Sequence, residues 1–113
     1  MIKKRYGKLV RDNVPDEIRK KGNLPSTRAM DEDEFRRELL YKLIDSAEEA
    51  RQAGYNAEAD EFLHKLADVQ EVLNAVLEEF NIDEESFKRM REMRLNKLGS
   101  FKGKTFLESV QEE

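Results

Sequence analysis

Two stretches of the chain carry acids at the spacing of a helix face. Asp45, Glu48 and Glu49 fall together with Glu38, Lys42 and Gln52, while Glu61, His64, Asp68 and Glu71 recur at steps of three, four and three. Residues three and four apart are neighbours on a helix, so each stretch would aim several carboxylates in one direction. Two such faces turned toward each other make a site for a hard cation held by oxygen ligands. Magnesium is the natural occupant, because it prefers oxygen, keeps several waters and bridges to substrate phosphates. A single His and the absence of Cys argue against a dedicated zinc site, and the lack of Cys also excludes a disulfide framework and a thiolate nucleophile. A solvated helix face has the same acidic spacing, so spacing alone leaves both readings open.

The charge distribution bears on the same choice. The net charge of −4 conceals an acidic middle between basic flanks. Residues 1–28 hold nine Lys and Arg against three acids, residues 29–80 five against fifteen, and residues 81–113 seven against seven. A protein devoted to nucleic acid is more often basic throughout, and no groove-reading motif is present, so nucleic acid is not the expected partner. A polyanion together with a divalent cation accounts for both signs: carboxylates hold the cation, and Lys and Arg hold phosphate oxygens. Ordinary helix solubility accounts for them as well.

The elements that must position these residues follow from apolar periodicity. From Glu58 to Phe80, the residues Phe62, Leu66, Val69, Leu73, Val76 and Phe80 alternate at steps of four and three, the spacing of one buried helix face. A helix before it should start near Asp31, an N-cap with Glu34 three residues on. Phe35, Leu39, Leu40, Leu43, Ile44 and Ala47 are its expected buried face, and Gly54 its expected stop. The short turn from Gly54 to Asn56 requires the two helices to run antiparallel, so their carboxylates can face one another. Toward the N-terminus, Pro15, Asp16 and Glu17 open a short helix that Lys20, Lys21 and Gly22 close. A further helix runs from Glu84 to Leu98 after the N-cap Asp83, with Asn81 closing the one before it. The segment from Gly99 onward carries Phe101, Phe106 and Leu107, which predict that it docks.

With 113 residues the chain is expected to form one all-α domain, an antiparallel bundle of three longer helices and a short N-terminal one. Apolar residues make up 38% and charged residues 41%. The apolar set must therefore lie in stripes, which favours completion of the bundle by oligomerisation. No apolar run approaches the roughly 20 residues of a membrane span, and the basic start lacks the apolar segment of a signal peptide, so a soluble cytoplasmic protein is expected.

The run from Tyr6 through Gly7, Lys8, Leu9, Val10, Arg11, Asp12, Asn13 and Val14 to Pro15 resembles the opening motif of one branch of the all-α nucleotide pyrophosphohydrolases, the MazG and phosphoribosyl-ATP pyrophosphohydrolase-like superfamily. The likeness continues through Lys42-Leu43, through Leu66-Ala67-Asp68-Val69 with Glu71-Val72, and into Gly99-Ser100-Phe101 and Thr105-Phe106-Leu107. It spans residues 6–107, in order.

The resemblance implies a dimer or larger assembly that hydrolyses nucleoside triphosphates to monophosphate and pyrophosphate with magnesium. Both the clearing of damaged nucleotides, a house-cleaning role, and the trimming of a normal pool stay open. Members of this superfamily hold the metal through an ExxE motif on one helix and an ExxD motif on the next. In the register set by Lys42-Leu43 and Leu66-Ala67-Asp68, those positions hold Ser46 and Glu49, then Lys65 and Asp68. Two of the four carboxylates are replaced, one of them by a cation. Glu49 and Asp68 are then the leading metal ligands. Asp45, Glu48 and Glu71 can substitute, since Asp45 with Glu48 and Asp68 with Glu71 are one-turn DxxE pairs that a modest helix rotation would bring into the site. Glu49, Asp68 and Glu71 are the expected catalytic carboxylates. Lys8, Arg11, Lys65, Arg94 and Lys97 are the expected phosphate contacts, with Asp12 an expected Arg partner and Phe101 an anchor for the tail. His64 is expected on the surface. Two other readings stay open: a nucleotide-binding protein of the same fold with little turnover, and a helical interaction subunit.

Overall fold

A computed structural model of the chain describes residues 2–56 and 58–112. It is all-helical, with α1 (Val14–Lys20), α2 (Glu32–Asn56), α3 (Ala59–Glu79) and α4 (Glu84–Leu98), and there is no strand among the described residues. Contacts divide the chain into two compact units, Met1–Phe80 and Asn81–Glu113.

The first unit is built on the α2–α3 hairpin. Asp31 caps α2 by accepting a hydrogen bond from the Glu34 amide at 2.8 Å. Two contacts bracket the pair and fix it as antiparallel. Near the start of α2, the Arg36 guanidinium donates to Glu79 at 3.2 Å and lies 5.7 Å from the centre of the Phe80 ring, at the end of α3. Near the end of α2, Gly54 sits against the ring of Phe62, in the first turn of α3. A Cβ at Gly54 would lie 3.2 Å from Phe62 Cε1. The expected stop at Gly54 is therefore overturned. The helix continues to Asn56, and the glycine serves close packing rather than termination.

The buried seam of α2 also differs from the expected one. Leu39, Ser46, Ala50 and Ala53 are buried, whereas Leu40, Ile44 and Ala47 are exposed. Small side chains at three consecutive levels let α3 approach closely, and the interaxial distance of a helix pair follows the side chains at the contact. On α3 the seam runs through Val72, the buried residue, flanked by the half-buried Val69 and Val76. Phe62 and Leu66, expected in the core, are only partly covered and keep 37% and 45% of their surface exposed. With its small-residue line turned inward, the hairpin carries its larger apolar residues on one open side.

α1 is a two-turn helix with Pro15 in its first turn, Asp16 and Glu17 beside the N-terminal end, and Arg19 and Lys20 beside the C-terminal end, as the sequence predicts. Gly22 follows with φ of +87°, a conformation that glycine adopts without strain.

In the second unit, Asp83 caps α4 by accepting from the Ser86 amide at 3.1 Å. Among its described residues this unit has none that is buried. Phe101 is 99% exposed, and Phe106 and Leu107 are exposed with it, so the expected docking of the tail is not observed. Ile82, Met90, Met93, Leu95 and Leu98 of the same unit are exposed as well, so no apolar cluster forms there for these side chains to join.

No helix of the described residues is long and apolar enough to cross a membrane.

Candidate functional site

The side of the hairpin opposite its open apolar face is polar. Helical spacing carries Glu49, Gln52 and Asn56 to this side of α2, while on α3 Glu61, Lys65 and Asp68 precede Val72 on its own stripe at steps of four, three and four, toward the start of the helix. Five of these residues, with Ala53, line an open cleft of about 390 Å³. Glu49 and Lys65 thus line one depression. Lys65 keeps 29% of its side chain exposed, and its ammonium lies 3.9 Å from Glu61 Oε1. The Glu49 carboxylate forms no ion pair among the described residues.

One turn further along α3, Asp68 Oδ1 accepts a hydrogen bond from Arg11 Nη1 at 3.1 Å. Arg11 belongs to the non-helical segment before α1, so this ion pair lays the N-terminal segment against α3. The side chains are 60% and 40% exposed, which leaves both open to exchange with a solute. Asp12, expected as an Arg partner, forms no ion pair among the described residues; the partner of Arg11 is Asp68.

Ser46 lies in the seam itself, 2% exposed. A carboxylate at this position would be buried between the helices, so a serine is what the close approach of α2 and α3 accommodates. Glu48 points elsewhere: both its oxygens accept from Arg51 one turn on, and that pair holds its carboxyl below the usual value of 4.5. Asp45 and Glu71 are exposed, and the described residues bring together no group of three carboxylate or His side chains suited to a metal. His64 is a surface residue 4.0 Å from Glu61. In the first unit Lys8 lies 5.6 Å from the centre of the Tyr6 ring, exposed. Arg94 and Lys97 are exposed residues of α4, in the second unit.

Magnesium can be tested against this donor set. The four positions that resemble ExxE and ExxD supply two carboxylates, one of which is held by Arg11, together with a buried hydroxyl and an ammonium. A hard divalent cation needs anionic or neutral oxygen, and a lysine beside it adds repulsion. The residues present do not fit the ion.

Gln52 lines the cleft beside Glu49, on the face where the sequence puts it, whereas Asn56 is a cleft residue that sequence reasoning did not single out. The signal was available, since Asn56 follows Gln52 at a step of four, but the expected turn at Gly54 to Asn56 placed it off the helix.

No protein-family model matches the chain, and no curated protein and no solved structure matches it.

Proposed function

We propose that this chain binds nucleoside triphosphates on the polar side of the α2–α3 hairpin and hydrolyses them to monophosphate and pyrophosphate. The observation that carries this reading is the contact between Arg11 and Asp68. The opening motif and the second helical motif resemble parts of one superfamily site, lie 57 positions apart, and meet on the side of the hairpin where Glu49 and Lys65 line a cleft. Meeting there is what residues of a single site must do.

In the reaction, water attacks the α-phosphorus, forming a new P–O bond there as the bond from that phosphorus to the α–β bridging oxygen breaks and pyrophosphate leaves. Glu49, a cleft carboxylate without an ion-pair partner among the described residues, accepts the proton of that water. Lys65 and Arg11 oppose the charge that develops on the departing pyrophosphate. Asp68 orients Arg11. Asp45, Glu48 and Glu71 have no step, because Glu48 is engaged by Arg51 and the other two lie outside the cleft lining. A homo-oligomer and a cytoplasmic location belong to the same reading; the exposed Leu40, Ile44 and Leu63 give a second copy an apolar surface to cover.

A specific observation favours a second reading, in which nucleotide is bound with little turnover: Lys65 stands at a carboxylate position and Arg11 occupies Asp68. Pyrophosphate release from a panel of normal and modified nucleoside triphosphates separates the two. Release that is lost in Glu49→Gln supports the hydrolase. Binding of the same nucleotides with no release supports the binding protein.

A further inference from the structure

We propose that Lys65 and Arg11 supply, as fixed side-chain charges, the positive charge that a divalent cation would supply to a triphosphate, so that this site takes its ligand without a metal ion. The inference rests on the reading of the hairpin as a nucleotide site and states how that site recognises its ligand.

Three observations lead to it. First, the positions where acids would gather a cation carry compensation instead. Lys65 shares the cleft with Glu49 and lies near Glu61, and Arg11 is hydrogen-bonded to Asp68 at 3.1 Å. Introducing a cation here would place it beside an ammonium and in competition with a guanidinium, both of which repel it. Second, both cationic groups are accessible. Lys65 is anchored on α3 with part of its side chain in the cleft, and Arg11 uses Nη1 on Asp68, leaving donors of its planar fork for phosphate oxygens. Third, Lys65 and Asp68 are one helical turn apart, so the ammonium and the guanidinium held by Asp68 lie within the span of a polyphosphate. A triphosphate would draw Arg11 partly or wholly from Asp68, and the ligand phosphates would replace the carboxylate as its partner.

The source of the polyphosphate is open to direct comparison. ATP and inorganic tripolyphosphate share the charged chain but only ATP carries a base and sugar, so both serve as probes.

The test is isothermal titration of the full chain with ATP and with tripolyphosphate, each in EDTA and again with excess magnesium. Lys65→Gln, Lys65→Arg and Lys65→Glu are titrated alongside, with circular dichroism confirming helix content. The expected result is binding in EDTA that weakens about tenfold or more in Lys65→Gln, the size of effect lost with a charge-assisted contact. Lys65→Arg should retain it. Lys65→Glu, which rebuilds an acidic pair with Asp68, should abolish binding in EDTA. Binding of wild type only with magnesium would overturn this inference and leave the nucleotide site standing. Binding in EDTA that is indifferent to Lys65 would overturn it too. Tripolyphosphate binding without ATP binding would retain the cationic site and overturn the nucleotide reading. No binding of either probe under any condition would overturn both.

Discussion

Arg11 Nη1 lies 3.1 Å from Asp68 Oδ1, joining the segment before α1 to the middle of α3 across 57 positions of sequence. Both side chains are substantially exposed, and exposed ion pairs contribute little to folding, on the order of 0–1 kcal/mol. The pair therefore matters for where it holds a guanidinium, not for stability. A double-mutant cycle of Arg11→Gln and Asp68→Asn, followed by urea unfolding, should give a coupling below about 1 kcal/mol. Arg11→Gln should nevertheless weaken nucleotide binding about tenfold. A coupling well above that bound would make the pair a structural strut.

Acid should weaken the fold through two ion pairs of α2 and its approach. Arg28 donates from both terminal nitrogens to both oxygens of Glu34 at 2.8 and 2.7 Å, and the hydrogen bond holds Glu34 below its usual 4.5. Arg51 does the same for Glu48. A carboxyl with a lowered folded pKa contributes stability that is present above the unfolded value and is lost as the pH falls through the folded one. The melting temperatures of wild type and Arg28→Gln should thus differ most above about pH 5.5 and converge at lower pH. A difference that does not change with pH would contradict this.

Ser46 fixes how closely α2 and α3 approach. Ser46→Glu enlarges a side chain that is 2% exposed and introduces a charge there, so unfolding should cost less by about 1–3 kcal/mol, read as a lower urea midpoint with an unchanged slope. An unaltered midpoint would mean that the seam can open to admit a carboxylate at that position.

What was legible in the sequence is what local chemistry decides. The caps at Asp31 and Asp83, the limits of α4 and the proline-led start of α1 each depend on residues within one turn, and each is where the sequence puts it. Gly54 was misread because a local rule, glycine as a helix stop, was overridden by the Phe62 ring, a contact only the folded hairpin supplies. The α2 face was misread for a related reason. Large apolar residues at Leu40 and Ile44 outscore Ser46, Ala50 and Ala53 in any periodicity count, yet close helix packing selects the small ones. At the candidate site, Glu49, Lys65 and Asp68 were reachable through motif register. The partnership of Arg11 with Asp68, in place of Asp12 as an Arg partner, was not, because no spacing rule links residues so far apart.

The apolar surface that the hairpin leaves uncovered includes Ile44 at 66% and Leu63 at 64% exposure. Replacing either with Lys removes no buried contact within the chain, so the helix content and melting of a monomer should change little, within about 0.5 kcal/mol. If a second copy covers this surface, Ile44→Lys with Leu63→Lys should convert the oligomer to monomer in light scattering. Wild type that is monomeric at all concentrations would remove the homo-oligomer from the proposal.

The most direct test of the nucleotide site is single-turnover pyrophosphate release on wild type, Glu49→Gln and Asp68→Asn, using the nucleoside triphosphate panel and with helix content checked by circular dichroism. The expected result is release by wild type that falls by about 100-fold or more in Glu49→Gln, the lower end of what a positioned general base contributes. Asp68→Asn should retain folding and lose part of the rate through Arg11. Release that is unchanged in both variants, or absent from wild type with every nucleotide, would contradict the assignment of hydrolysis to this side of the hairpin.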